Sequence, residues 1–440
     1  MGVSLATDIS ERLKRGLTRR RFVGGTAATA AVAATAAALS GCADVSSDGS
    51  ALTYSGESQV IDDTQVVDVT DEYEYVDDTG LSALYTWSLP LGTVLFHCEG
   101  SWAAAMFAPE SAVNVNTLGV VSLATGTATT LLTDPLLGSG YAFHDVRCGS
   151  GVFAWVEEDY AAATWTLYGQ CFSAGLLTGS PVELDSGDED WEPAKFTCTG
   201  SSVIWQKMPF ASGAERTSYS HCYRWTVDAT ASEELYESPG RFATSPRVTD
   251  GILTIAPRVL EDEGTYYGMT AIDLDTLATL DQLVMPSSVK PFEAIYMNNL
   301  FVFAVEANYG YGGSLGNMGS YIGREGSTYI TLSREPLAWA VGDGGSRYFI
   351  KVKSSHYVVD TEAETYSVLT APSDSLDYGD YPASEGLCTL FATYSTIRGD
   401  DGSPASVTLR VFDLTAASEA EDEDEADEEA EASDEESSDE

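Results

Sequence analysis

The side chains best suited to acid–base or metal chemistry are four histidines: His97, His144, His221 and His356. They are widely separated in the 440-residue sequence, and none has the spacing of a metal motif such as HExxH or paired CxxC. A single histidine between apolar neighbours is more often a core or edge residue than a ligand. The sequence therefore predicts no metal, no cofactor and no catalytic residue.

A second polar set belongs to a repeat described below. His97, Arg147 and Arg247 occupy nearly equivalent positions near the ends of predicted inner strands, and Asp145, Lys195 and Glu293 lie close to them in sequence. If those strand ends open onto a central channel, the six residues are contacts for a ligand at its mouth. The alternative, which we favour from the sequence, is that they form ion pairs between repeats.

Two loops could also bind a ligand. "DSGDEDWEP", residues 185–193, contains acidic side chains suited to calcium, although a solvated turn is the default interpretation. Residues 306–329 form a long segment rich in Gly, Tyr and Asn, which is either a disordered loop or an adaptable contact surface. Its candidate contacts are Tyr309, Tyr311, Asn317 and Tyr321.

The elements that would position these residues are repeated. Cys98, Cys148 and Cys198 stand at intervals of fifty residues, each before a short turn and an apolar run such as "GSGVFAW" or "TGSSVIW". Looser copies begin near Thr249, Met297, Gly345 and Ser384, which makes seven units.

Short alternating or apolar runs bounded by Gly, Asp, Ser and Pro are typical of strands. In the second unit we predict strands at 142–147, 152–157, 165–171 and 181–184, and in the third at 194–197, 202–208, 219–227 and 233–237. Units of about 45–52 residues with four strands are typical of propeller blades. The predicted fold class is an all-β, seven-bladed β-propeller of four-stranded antiparallel blades.

Two segments carry a family resemblance: "SPRVTDGILTIAP", residues 245–257, and "MTAIDLDTLATLDQL", residues 269–283. They resemble the repeat of TolB-like propellers and of the propellers that precede prolyl-oligopeptidase hydrolase domains. The resemblance covers residues 90–415 and implies a fold rather than an activity. The hydrolase domain that carries the catalytic serine of the peptidase family has no counterpart in this sequence, so no residue role is carried over.

The N-terminal segment resembles an export signal. "TRRRFVGG", residues 18–25, resembles the twin-arginine motif, with Arg19, Arg20 and Phe22 at its characteristic positions. "LSGC", residues 39–42, resembles a bacterial lipobox, which implies that Cys42 is acylated and becomes the first mature residue. An uncleaved N-terminal anchor is the alternative. In either case we expect an exported protein attached to the outer face of the cytoplasmic membrane.

The net charge of the sequence limits the classes of partner that the protein can bind. The formal net charge is -46, and fifteen of the 68 acidic residues follow Thr415, so the other 53 still outnumber the 22 Lys and Arg. Such a surface repels phosphate backbones, which argues against nucleic-acid binding. The expected domains are a signal peptide at 1–41, a flexible lipid-anchored tether at 42–80, the propeller at 81–415 and a disordered acidic tail at 416–440.

Six cysteines remain if Cys42 is lipidated, an even number in an exported chain. Their distribution in the repeat suggests the pairs Cys148–Cys171 and Cys198–Cys222 within units, and Cys98–Cys388 where the ring closes. An objection is that the ends of first and third strands lie about 9–10 Å apart, whereas a disulfide requires α-carbons within about 7 Å. The alternative is six buried thiols.

Two function classes remain open. The first, which we favour, is a non-catalytic, surface-anchored monomer whose propeller binds an extracellular glycan, peptide or protein. The second is a propeller enzyme acting on a polysaccharide, of the lyase or glycosidase type. The expected partners are the twin-arginine export machinery, the membrane through the lipid, and one unknown ligand.

Overall fold

The computed structural model describes residues 63–415 apart from 98, 110, 112–113, 260–265, 288, 306–317, 335–338, 353–354 and 377–379. It also describes residue 58 and two short strands, β1 (Asp44–Val45) and β2 (Ala51–Leu52), which pair antiparallel. Within this part of the chain the helical elements are one 3-10 turn, Asp63–Gln65, and one α-helix of four residues, α1 (Val69–Glu72). Three strands flank α1: β3 (Val66–Asp68), β4 (Glu74–Tyr75) and β5 (Ala83–Leu89).

The remaining described strands, together with β3–β5, form seven sheets of four to six strands. The first three sheets each contain four consecutive antiparallel strands. Sheet 1 consists of β6 (Thr93–Phe96), β7 (Trp102–Phe107), β8 (Thr117–Ser122) and β9 (Ala128–Leu132). Sheet 2 consists of β10 (Ala142–Cys148), β11 (Val152–Asp159), β12 (Thr164–Ser173) and β13 (Leu176–Gly187). Sheet 3 consists of β14 (Lys195–Thr199), β15 (Ser202–Lys207), β16 (Ser220–Thr226) and β17 (Glu233–Ser238).

The next two sheets contain five strands each. Sheet 4 consists of β18 (Arg247–Thr249), β19 (Ile252–Ile255), β20 (Arg258–Val259), β21 (Tyr266–Asp273) and β22 (Thr279–Val284). Sheet 5 consists of β23 (Pro291–Met297), β24 (Leu300–Val305), β25 (Gly319–Gly323), β26 (Tyr329–Ser333) and the N-terminal β3.

The last two sheets share chain segments with the N-terminus and with each other. Sheet 6 consists of β27 (Ala340–Gly342), β28 (Arg347–Lys351), β29 (Ser355–Asp360), β30 (Thr365–Thr370), the N-terminal β4, and β32 (Gly386–Leu387) at its inner edge. Sheet 7 consists of β31 (Tyr381–Pro382), β33 (Leu390–Arg398), β34 (Pro404–Asp413) and the N-terminal β5.

Local sequence explains the hairpins between inner strands. Asp250 and Gly251 have φ of 49° and 73°, and they connect β18 to β19. Asn298 and Asn299 have φ of 54° and 58°, and they connect β23 to β24. Two successive left-handed residues define the turn whose twist matches that of antiparallel strands, and Asp, Asn and Gly tolerate it best.

Apolar clusters fill the space between neighbouring sheets. Between sheets 1 and 2 the cluster includes Leu118, Phe153 and Trp155, all fully buried. Between sheets 7 and 1 it includes Leu95 and Leu409, so the last sheet packs on the first. Burial of each such side chain contributes about 1.5–3 kcal/mol, and no sheet could bury both faces alone.

Strands β3, β4 and β5, which precede sheet 1 in the chain, complete the outer edges of three sheets. β3 pairs parallel to β26, β4 pairs parallel to β30, and β5 pairs antiparallel to β34. Val69 of α1 is fully buried in the cluster between sheets 5 and 6. Residues 66–75 are therefore part of the folded unit, which corrects their assignment to a flexible tether.

The prediction of an all-β propeller built of small antiparallel sheets is confirmed. The prediction of seven independent four-stranded blades is wrong. Inner segment 381–387 pairs first with β33 and then, in parallel, with β27. Sheets 6 and 7 are thereby joined, and with this pair taken as one unit the ring has six separate blades rather than seven. The cause is the short inner strand of sheet 7, which leaves its own sheet after Pro382.

Candidate ligand-binding channel

Three charged side chains from separate sheets meet at the centre of the ring. Arg247 of β18 donates from Nε to Glu293 Oε1 at 2.6 Å and from Nη2 to Glu293 Oε2 at 2.8 Å. Its Nη1 donates to Glu385 Oε2 at 2.9 Å. Arg247 is in sheet 4, Glu293 is in β23 of sheet 5, and Glu385 lies between β31 of sheet 7 and β32 of sheet 6, so the triad connects separate sheets.

Burial makes the triad electrostatically significant. Arg247, Glu293 and Glu385 have about the same small exposure, 5–6%. Burial opposes the charge on Arg247, yet the two carboxylates outweigh that effect and raise the pKa of the guanidinium. Burial raises the pKa of Glu293, and Arg247 opposes the increase. With all three groups ionised, the triad has one more negative than positive charge.

A segment that we call the crossing segment, residues 384–388, contributes Glu385 to this triad. Leu387 N–H donates to Thr249 Oγ1 of sheet 4 at 2.8 Å, and Cys388 N–H donates to Gly342 O of sheet 6 at 3.1 Å. Gly386 makes this path feasible: its φ is +70°, and a Cβ there would lie 2.6 Å from the Thr249 side chain. The segment thus links sheet 7 to sheets 4 and 6.

Two cavities flank the crossing segment, and His97, Ser384 and Glu385 line both of them. The first, which we call the aromatic cavity, has a volume of about 370 Å³. Its walls include Phe96, Arg147, Trp339, Tyr381 and Tyr394.

Arg147 forms one wall of the aromatic cavity. Its guanidinium carbon lies 4.7 Å from the centre of the Phe96 ring and 5.8 Å from that of Phe196. Its Nη1 also pairs with Asp145 at 2.5 Å. Cation–π stacking and the ion pair hold the side chain in place, so the wall is rigid and its charge is compensated.

The second cavity, which we call the acidic cavity, has a volume of about 360 Å³ and lies at the ends of the inner strands. Four carboxylates line it: Glu99, Asp250, Asp343 and Glu385. Lys and Arg are missing from its described lining.

The four carboxylates differ in their surroundings. Glu99 accepts hydrogen bonds from Ser150 N–H at 3.1 Å and Gly200 N–H at 2.6 Å, and so connects the turns of sheets 2 and 3. Asp343 pairs with Arg347 Nε at 2.6 Å. Asp250 is exposed in its hairpin turn.

Two buried polar atoms at the junction of the cavities have no hydrogen-bond partner among the described residues: Glu385 Oε1 and His97 Nδ1. Burial lowers the pKa of His97, although Glu385 and Glu99 oppose that effect, so the ring is neutral at pH 7. A buried acceptor without a partner costs about 1–3 kcal/mol, which a ligand that donates to it would recover.

The structure brings most of the predicted mouth residues to this region. His97 lines both large cavities, Arg147 lines the aromatic one, and Arg247 and Glu293 form the triad beneath them. Asp145 and Lys195 lie beside Arg147 in a third cavity of about 220 Å³, where burial lowers the pKa of Lys195. The interpretation as ion pairs between repeats also holds for Arg247. Any ligand contact by these six residues stays a prediction.

Sequence reasoning missed Glu385, Tyr381 and Tyr394. Their unit has an inner strand broken into two pairs of residues, so its copy of the repeat begins at the turn-like "SEGL" and lacks the pattern of an inner strand. The available signal was an acidic residue before Gly386 in an otherwise apolar run.

The structure corrects the predicted disulfides. Four cysteines are free thiols: Cys171, Cys198, Cys222 and Cys388. The pairs Cys148–Cys171, Cys198–Cys222 and Cys98–Cys388 are therefore wrong. Cys148 is disulfide-bonded, but to none of these four, and Cys98 lies outside the described residues.

Strand register gives the physical reason. A whole strand, β11, lies between Cys148 and Cys171, and β15 likewise separates Cys198 from Cys222. The thiols are thus two strand spacings apart, and burial raises the pKa of Cys198 and Cys222. The repeated cysteines of the third unit are packing residues.

The predicted binding loop is only partly within the described chain. Tyr309, Tyr311 and Asn317 lie outside it. Tyr321 is in β25, is 2% exposed and stacks on Phe303 with 5.3 Å between ring centres. Burial raises its pKa to about 12. Tyr321 is a core residue, so its prediction as a loop contact is wrong.

The described residues contain no group of three His, Cys, Asp or Glu side chains placed to hold a metal ion. In the candidate calcium loop, Asp185 accepts from Trp205 Nε1 at 2.9 Å and from Lys207 Nζ at 2.6 Å. No helix in this part of the chain has the length and apolarity of a membrane span.

The chain is similar to several solved structures. The chain is similar to a structure from a study of two prolyl endopeptidases, with 10% identity over 77% of this chain and 48% of that one and a TM-score of 0.49. It is also similar to the β-propeller domain of the Trilobed protease from Pyrococcus furiosus, with 8% identity over 76% of this chain and 96% of that one and a TM-score of 0.47. An acylaminoacyl peptidase from Pyrococcus horikoshii has 12% identity over 58% and 43% of the two chains, with a TM-score of 0.39.

This chain thus spans about half of the prolyl endopeptidase. No protein-family model matches the sequence, and no curated protein matches it either. The sheets themselves define the class: the protein is a β-propeller.

Proposed function

We propose that this protein is an exported, lipid-anchored propeller that binds an extracellular ligand in its central channel without transforming it. The observation that supports binding is the junction of the two cavities. There Glu385 Oε1 and His97 Nδ1 are buried and lack a partner among the described residues, while aromatic walls lie within the same cavity.

The chemistry of the triad favours binding over hydrolysis. A glycosidase needs two carboxyl groups that flank the scissile bond, one of them free to act on water or on the sugar. Both oxygens of Glu293 accept from Arg247, and one oxygen of Glu385 does so too. Both carboxylates of the triad are thus held in ion pairs with Arg247.

The aromatic cavity suits one apolar or planar group of a peptide or glycan. Phe96, Tyr381 and Tyr394 offer ring faces, and the Tyr381 and Tyr394 rings lie 5.9 Å apart. Aromatic side chains provide large contact areas at low entropic cost, for sugar faces as well as for side chains.

Export and anchoring are part of the proposal. They are supported by the sequence motifs at Arg19, Arg20 and Phe22 and at Cys42. Cys42→Ser should release the protein from the membrane fraction. Continued attachment of that variant would mean that the anchor lies elsewhere.

Ligand binding is tested with glycan and peptide arrays probed with the mature protein. For the strongest binder, Tyr381→Ala should weaken affinity by about tenfold, because truncation of a central aromatic side chain removes its contact area. Tyr160→Ala is the matched control: Tyr160 is 64% exposed and lies in another hairpin, whereas Tyr381 is 37% exposed. Equal affinity of the two variants, or the absence of any binder, would contradict the proposal.

A further inference from the structure

We infer that the acidic cavity recognises the charged end of an arginine or lysine side chain in a basic peptide. This inference rests on the proposed function and specifies the chemistry of its ligand.

The first argument is charge. The lining of the acidic cavity contains four carboxylates and, among its described members, neither Lys nor Arg. Asp343 is compensated by Arg347, and Arg247 compensates only one of the two carboxylates that it contacts. Negative charge in excess of these two arginines therefore remains in the lining, which includes the buried Glu385 and the exposed Asp250.

The second argument is the carboxylate oxygen of Glu385 that has no partner among the described residues. Glu385 is 5% exposed, its Oε2 accepts from Arg247, and its buried Oε1 has no partner among the described residues. A carboxylate oxygen has no proton to offer, so the missing partner must be a donor. A guanidinium or ammonium group supplies a donor and the compensating charge together.

The third argument concerns His97, which lines the same junction. Its lowered pKa keeps the ring neutral, so it does not repel a cation. At longer range, the formal charge of -46 attracts cationic ligands and raises their association rate. A cavity of about 360 Å³ accommodates one long side chain.

The test uses two blocked tripeptides, acetyl-Gly-Arg-Gly-amide and its citrulline analogue. Citrulline keeps the shape and length of arginine and lacks its charge. Calorimetric titration of the full mature protein should show that the arginine peptide binds and that the citrulline peptide binds at least tenfold more weakly.

A matched pair of variants locates the site. Asp250→Asn removes a cavity charge, and Asp228→Asn removes an equal charge from an exposed turn outside the described cavity linings. Both aspartates have positive φ, 49° and 71°, which asparagine tolerates well, so both variants should fold. Asp250→Asn should weaken arginine-peptide binding by about two- to fivefold and Asp228→Asn should leave it unchanged. Glu385→Gln should weaken it by about tenfold.

Each outcome decides between the alternatives. Equal binding of the arginine and citrulline peptides would overturn the inference. Equal weakening by Asp250→Asn and Asp228→Asn would reduce it to non-specific attraction to an acidic protein. If neither peptide binds while a neutral array ligand binds and responds to Tyr381→Ala, the inference fails and the proposed function stands. If no ligand binds at all, both fail.

Discussion

Arg247 is the residue whose replacement should cost the most stability. Arg247→Met would leave Glu293 and Glu385 buried beside each other without a cation. Removing one partner of a buried ion pair costs about 3–5 kcal/mol. Urea unfolding should show a loss of this size.

The matched variant combines Arg247→Met with Glu293→Gln and Glu385→Gln. It removes the charges together and should recover most of the lost stability. A loss below about 1 kcal/mol for Arg247→Met alone would show that the triad is not held in the geometry described here.

The burial of His356 predicts how the stability of the protein depends on pH. The ring is fully buried, both of its nitrogens lack partners among the described residues, and it packs against Phe391. Burial lowers its pKa well below the ordinary 6.5, and Lys351 and Arg410 lower it further. The folded state therefore disfavours the protonated ring that the unfolded chain accepts below pH 6.5, so His356 reduces stability as pH falls from 6.5 to 5.

The variant His356→Leu should show a smaller decrease in melting temperature between pH 6.5 and pH 5 than the parent protein. The comparison at pH 8, where the histidine is neutral in both states, gives the packing effect of the substitution alone. His97, whose pKa is also lowered, contributes with the same sign and remains in the variant. An unchanged pH slope would place the acid sensitivity elsewhere.

At the scale of elements, the crossing segment is the feature on which the site depends. Gly386→Ala imposes a left-handed conformation on a residue with a Cβ and drives that atom against Thr249. Strain and overpacking together should cost about 2–4 kcal/mol. Gly402→Ala is the control, because its φ is +79° and no atom lies within 4 Å of the added Cβ.

Thermal unfolding of the two variants measures the difference. Gly402→Ala should lower the free energy of unfolding only by the cost of the left-handed conformation. Gly386→Ala should lower it further and should also abolish ligand binding. An equal loss of stability in the two variants would mean that the crossing segment can move to accept the added Cβ and does not separate the two cavities.

The regular strands could be predicted from the sequence, because successive units repeat the same pattern of strands and turns. The second and third units contain complete four-strand patterns, and predicted strand 142–147 is observed as Ala142–Cys148. Predicted strand 202–208 is observed as Ser202–Lys207. The crossing segment could not be predicted, since its partners Thr249 and Val341 lie in other sheets and no local pattern encodes them.

At the scale of the whole molecule, the ring closes through β5, a strand that precedes sheet 1 in the chain. β5 forms the outer strand of sheet 7, and its Trp87 donates to Leu123 O of sheet 1 at 2.8 Å. Composition predicts a tether up to residue 80, because Ser, Asp and Gly dominate the first part of that segment. The segment nevertheless contains β3 and β4, because these strands pair in parallel with β26 and β30, which lie far along the chain. The repeat predicted the ring, whereas its closure depends on long-range pairing.

The central claim is that the ligand binds within the central channel. Hydrogen–deuterium exchange of the mature protein, with and without the strongest array ligand, tests it most directly. Bound ligand should protect backbone amides in residues 92–97, 248–250 and 384–390, three of the segments that line the two cavities. Protection confined to outer strands such as β9 or β13, with these segments unchanged, would contradict the account.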